Sequence, residues 1–319
     1  MANADNRLDY WLRWQVPACA LIIVVPVVVA LYLIYKVQRS PLSPKDLWVP
    51  CWRKLNPLWL LSYRAIVFVF MSFILYQMVA LHGAFSFYFY TQWTFTLVIV
   101  YFALGTIVSA HGCWMYLNYS LTENEERDEF LKRDLADGKS RTTRAFRTNT
   151  IRETIKLQSN HEQEETEQRA GFWVYLMHIV YQTCAGAVVL TDIVFWLILV
   201  PFLSNEHFRL NLLMGCMHSL NLVFLLLDTV LNSLPFYWFH LAYFVLWSCA
   251  YVIFQWILHA CGFTWWPYPF LELSTPWAPI WYLSLAAVHI PCYGLYALIV
   301  KAKNSMFSRF FPNSYTRLY

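Results

Sequence analysis

Pro17-Ala18-Cys19-Ala20-Leu21-Ile22-Ile23-Val24-Val25-Pro26-Val27-Val28-Val29-Ala30-Leu31-Tyr32-Leu33-Ile34-Tyr35-Lys36 carries no charge before its closing lysine. Twenty helical residues rise about 30 Å, the thickness of a bilayer's hydrocarbon core. No water is available there to satisfy backbone N–H and C=O groups, so such a run crosses as a helix. Six more runs of the same character follow, at about 58–82, 90–117, 172–202, 209–232, 236–260 and 276–302. The fourth, 31 residues long, reads either as one tilted helix or as one and a half. The expected fold is all-α, a polytopic membrane bundle of about seven transmembrane helices.

Composition agrees with this. Of 319 residues 59% are hydrophobic and 13% charged, against about 25% charged in an ordinary soluble domain. Of the 42 charged residues, 22 fall between Asn118 and Gly171, so the spans are poorer in charge than the average. A cytosolic globule is excluded. A net charge of +4 with no clustered basic face gives no reason to expect a nucleic-acid partner. The eight cysteines form no C-x-x-C pair and lie mostly in apolar runs, which implies neither a disulfide framework nor a zinc ribbon.

Sidedness follows from the basic residues, since Lys and Arg near helix ends stay cytosolic. With seven spans one face carries only Arg7, Arg13 and Arg209, and the other carries nineteen Lys and Arg. This predicts an outside or lumenal N-terminus and a cytosolic C-terminus. The chain then divides into an N-terminal anchor helix and basic cytosolic loop (1–57), a transmembrane bundle (58–302) holding the cytosolic loop 118–171, and a cytosolic tail (303–319). Loop 118–171 is acidic at both ends and basic and threonine-rich between. It reads as a solvated linker, or as a segment drawn to anionic headgroups and released by phosphorylation. Asn118-Tyr119-Ser120 is a glycosylation sequon on the predicted cytosolic side and is expected to stay bare. A glycosidase-sensitive mass shift lost in Asn118→Gln would invert the topology. Trp265, Trp266, Tyr268, Trp277 and Trp281 read as an outer interfacial belt. The spans fit the plasma membrane or the endoplasmic reticulum equally.

Ionisable groups inside a bilayer each need a partner or a purpose. Arg64 and Asp228 both sit toward the cytosolic ends of their spans, so they are expected to pair or to snorkel. Asp192 lies about 15 Å below the outer face at 1.5 Å per residue, with no cation at that depth. At comparable depth stand Thr91 and His218. A hydroxyl, an imidazole and a carboxylate are the parts of nucleophilic acyl transfer: an attacking group, its base, and an acid that fixes the base's tautomer. Plainer roles are open to each: Thr91 as a helix N-cap, His218 as a bonded core histidine, Asp192 in proton or substrate passage. A zinc site from Asp192, His218 and His289 is a further alternative.

Tyr90-Thr91-Gln92-Trp93-Thr94-Phe95-Thr96, running on to Tyr101-Phe102-Ala103-Leu104-Gly105, resembles the threonine-bearing helix of the androgen-induced-gene family of membrane fatty-acid-ester hydrolases. Cys216-Met217-His218-Ser219 resembles that family's histidine helix, and Trp266-Pro267-Tyr268-Pro269-Phe270-Leu271-Glu272 its W-x-Y-P-F-L-E turn. The likeness covers about residues 58–302 and is nearest the plant branch, which is similar to the rolling stone protein of insects. The chain differs in having a seventh span, a long third loop, and Gly215 where the family has another histidine. The resemblance implies Thr91 as nucleophile and His218 as base, acting on esters of fatty acids with hydroxy fatty acids and needing no cofactor or metal. The expected function is therefore intramembrane hydrolysis of an acyl-lipid substrate taken from the bilayer by Thr91, His218 and Asp192. A non-catalytic membrane scaffold or small-molecule carrier is the rival.

Overall fold

The computed structural model describes residues 9–37, 45–136, 171–203 and 212–316. It is 83% helical, and no strand occurs among the described residues. Among the described residues seven helices are long and apolar enough to cross a membrane, so the chain is an integral multi-pass membrane protein. They are α1 (Gln15–Lys36), α2 (Pro57–His82), α3 (Tyr90–Ala136), α4 (Gly171–Leu199), α5 (Leu212–Leu231), α6 (Leu241–Ala260) and α7 (Ala278–Phe310).

Two boundaries differ from expectation, and the open reading of the fourth span closes on one helix. Helix α3 does not stop near residue 117 but runs on to Ala136, taking the acidic start of the third loop with it. The fourth span is one helix that widens into a π-helical turn at Phe195–Leu199 before a closing α-helical turn, Val200–Leu203; such turns often mark functional sites. Helix α7 runs past 302 to Phe310. Lys303, expected in a solvated tail, is buried, and its Nζ donates to the carbonyls of Thr229 (2.9 Å) and Asn232 (3.0 Å). The charged and basic middle of the third loop falls outside the described residues.

Helix α4 is the most enclosed of the seven and α1 the least. The reason is local: Cys184-Ala185-Gly186-Ala187 gives α4 a run of small residues through which neighbours approach closely. A methyl on Gly186 would lie 2.5 Å from the Phe244 ring of α6. Helix α1 packs against α6 and α7, and α2 packs against α3 and α5. At the end of the bundle where α7 stops, the chain beyond it returns to the first loop, where Arg53 N–H donates to Ser314 O (2.8 Å) and Thr316 N–H to Cys51 O (2.8 Å).

Arg64 and Asp228 pair as expected. Arg64 Nε donates to Asp228 Oδ1 at 2.8 Å and Nη2 to Oδ2 at 3.3 Å, with both side chains fully buried. The remaining capacity is taken up locally. Arg64 Nη1 donates to Leu47 O (2.7 Å) and Ser109 Oγ (2.8 Å), while Asp228 Oδ2 accepts from Tyr101 (2.5 Å) and Asn232 (2.7 Å). Gly105 leaves the room: a methyl there would lie 3.1 Å from Arg64 Cδ. This pair ties α2, α3 and α5 together at the end of the bundle opposite Thr91.

Candidate active site

The site is built where α2 ends. Gly83, with φ of +66°, breaks α2, and a 3-10 turn over Gly83–Tyr88 leads through extended Phe89 into α3. That junction is pinned to α6: Tyr251 Oη and Gln255 Nε2 donate to Tyr88 O (2.9 and 2.7 Å), and the Tyr90 hydroxyl bonds Ser248 Oγ (2.8 Å). Thr91 is the second residue of α3. Its position on the rotation of the helix is therefore set by contacts on both sides of it.

Thr91 Oγ1 lies 3.4 Å from His218 Nε2 on α5, and both residues are buried. The separation is slightly longer than a working nucleophile–base bond, as is common without substrate. The imidazole stacks face to face on Phe195 in the π-helical turn of α4, with centroids 3.6 Å apart and planes 6° from parallel. Three helices thus fix the pair. With Nε2 accepting from the threonine hydroxyl, the ring proton sits on Nδ1.

Tyr268 stands beside this pair, away from the position the sequence suggests for it. The sequence places it in an interfacial belt with its neighbours. Trp265, Trp277 and Trp281 are indeed exposed, but Trp266 and Tyr268 are buried. Trp266 Nε1 donates to Tyr10 Oη (3.3 Å) and its ring stacks on His259. Tyr268 turns inward, stacked on Phe270 with planes 6° apart. Its phenol lies beside the Thr91 side chain and the backbone N–H groups of Tyr90 and Thr91 at the start of α3. Burial pushes this phenol up to about 12 even though the neighbouring donors at the start of α3 pull it down, so it keeps its proton and can donate.

Two apolar chambers meet here. The smaller, about 90 Å³, is walled by Leu190, Val194, Val252 and Leu285. The larger, about 430 Å³, is walled by Met78, Phe85, Phe89, Met214 and Trp265. Thr91, Leu199, His218 and Tyr268 line both. The hydroxyl, its base and the phenol therefore stand in the wall between two greasy spaces.

Asp192 does not join them. Its Oδ1 and His218 Nδ1 both lack a hydrogen-bond partner among the described residues, so the tautomer-fixing bond expected between them is not made. Successive helix residues are 100° apart, and Leu190, Thr191 and Val194 are the ones that face the smaller chamber. Asp192 turns away from that face. The zinc alternative also loses its geometry: among the described residues no three His, Cys, Asp or Glu side chains gather, and His289 Nδ1 faces Leu285 O at 2.6 Å.

Together the fold and the site define a polytopic membrane bundle with a buried threonine–histidine pair between two apolar chambers. No protein-family model, curated protein or solved structure matches the chain.

Proposed function

We propose that the protein is an intramembrane hydrolase of fatty-acyl esters, with Thr91 as nucleophile and His218 as base. The observation that supports this is the 3.4 Å approach of Thr91 Oγ1 to His218 Nε2 in the wall between two chambers. An ester has a polar carbonyl between two chains, and the two chambers suit its two arms. In the reaction Thr91 Oγ bonds to the carbonyl carbon as its proton passes to Nε2. The carbonyl oxygen becomes an oxyanion facing the Tyr268 O–H at the positive end of α3. Collapse releases the alcohol, which takes the proton back from His218. A water activated by the same imidazole then frees the fatty acid and restores Thr91. Asp192 has no part in these steps.

The resemblance to ester hydrolases points to esters of fatty acids with hydroxy fatty acids as substrates. The charge asymmetry puts the site below the non-cytosolic face, in the plasma membrane or the endoplasmic reticulum, so substrate enters sideways from the outer leaflet. A carrier of apolar molecules would use the same chambers but has no need of the Thr91–His218 approach. Full-length protein in nanodiscs, treated with a fluorophosphonate, should carry one adduct, located on Thr91 by peptide mass spectrometry and missing in His218→Ala. An unlabelled wild type, or full labelling of His218→Ala, would refute the hydrolase reading.

Tyr268→Phe tests the oxyanion donor. Loss of one such donor lowers kcat by about 100-fold or more, with KM changed little because the ring and its stacking on Phe270 remain. With the phenol held near 12, that deficit should be constant from pH 6 to pH 9. An unchanged kcat would leave Tyr268 a packing residue.

A further inference from the structure

The smaller chamber is not purely apolar, because His289 reaches it from α7. His289 is buried and its ring lies against Phe244, centroids 4.5 Å apart. Nδ1 is 2.6 Å from Leu285 O. A carbonyl oxygen only accepts, so Nδ1 carries the ring proton and Nε2 presents a bare lone pair. Nε2 has no partner among the described residues. His289 also lines an adjoining pocket of about 100 Å³ between α1, α6 and α7, which shares Ser248, Val252, Leu271 and Leu285 with the chamber. An acceptor of fixed direction thus stands where one arm of a two-armed lipid would lie.

The surroundings narrow what it can accept. Neither space is lined by Lys, Arg, Asp or Glu, so a carboxylate or an ammonium would be buried without a counter-charge. A neutral carboxylic acid would bring a second oxygen in need of a donor. Of the nearby hydroxyls, Thr191 donates to the carbonyl of Ala187, Tyr251 to that of Tyr88 and Tyr282 to that of Leu271, and one of the two protons of the Ser248–Tyr90 pair is spent within it. A single hydroxyl on an otherwise apolar chain supplies one O–H and leaves no charge behind. We infer that the chamber lined by His289 binds a lipid arm carrying a free hydroxyl, which donates its hydrogen bond to His289 Nε2. This hydroxyl is additional to the ester oxygen. The assignment rests on the hydrolase reading only in taking the arm to belong to the ester cleaved at Thr91; binding needs no turnover.

The test is therefore made on binding first. Full-length Thr91→Ala protein in nanodiscs is loaded with a fluorescent polyene fatty-acid methyl ester. The ester is then displaced by methyl stearate, by a positional series of methyl hydroxystearates, and by the matching methoxystearates. One hydroxyl position should displace about tenfold better than stearate or its methoxy counterpart, the increment of one buried hydrogen bond. His289→Phe should erase that difference, and His289→Gln, which still offers an acceptor oxygen, should keep part of it. Equal displacement by hydroxy, methoxy and plain chains overturns the inference, and this comparison needs no substitution at 289. So does a preference that survives His289→Phe, or a stronger preference for a chain ending in a carboxyl. Turnover of the same esters by wild type separates the two readings: a hydroxyl preference without turnover removes the hydrolase alone, and turnover without preference removes this site alone.

Discussion

Thr91→Ala should end both ester turnover and covalent labelling by a fluorophosphonate while leaving the fold in place. Deleting a nucleophile that acts as a unit with its base costs on the order of 10⁴-fold or more in kcat. The structural cost should be small, because Oγ1 makes one long contact, 3.4 Å to His218, and the β-carbon stays. Thr91→Ser keeps the oxygen and should retain turnover within about tenfold, the deficit coming from a freer rotamer. The capping alternative makes the opposite forecast: loss of an N-cap lowers stability by about 1 kcal/mol and leaves labelling untouched. The position speaks against it, since Thr91 is already the second residue of α3. Labelling intensity and an unfolding midpoint measured on the same three proteins decide between the forecasts.

The seven spans were legible because a hydrocarbon solvent leaves an apolar run of about 20 residues no other structure to adopt. The Arg64–Asp228 pair was legible for a related reason, as two charges at one depth have few partners to choose from. Depth is one coordinate only, and that is why Asp192 misled. It lies at a level compatible with His218, but rotation about α4 decides what a side chain meets, and Thr191 occupies the angle facing the chamber. Tyr268 escaped because turns between spans carry no periodicity from which inside and outside can be read. Its only signal is its place between two prolines in Trp266–Glu272. The π-helical turn that stacks Phe195 on His218 leaves no mark in an apolar sequence. Lys303 read as tail because a lysine after an apolar run usually marks the water boundary. Here α7 continues, and two backbone carbonyls take the ammonium instead.

Asp228→Leu should be the most destabilising single change in the bundle. It leaves the guanidinium of Arg64 buried with no anion, and removing one partner of a buried pair costs about 3–5 kcal/mol. Tyr101 and Asn232 lose their shared acceptor in the same step. Asp228→Asn keeps an acceptor oxygen and gives up only the charge, so it should fall between Asp228→Leu and wild type. The double change Arg64→Met with Asp228→Leu should recover a large part of the loss, because no unpaired charge remains; the residual deficit reflects Leu47 O and Ser109, left without their donor. Unfolding of nanodisc-reconstituted protein by denaturant, read as a double-mutant cycle, measures the coupling. A single-mutant loss below about 1 kcal/mol would place the pair among weak surface-like bridges and deny it the role of tying α2, α3 and α5. The same proteins report on the far end of the bundle. If the ion pair holds architecture and takes no part in chemistry, molecules of Asp228→Leu that remain folded should still label at Thr91 at the wild-type rate. The loss would then lie wholly in how many molecules are folded.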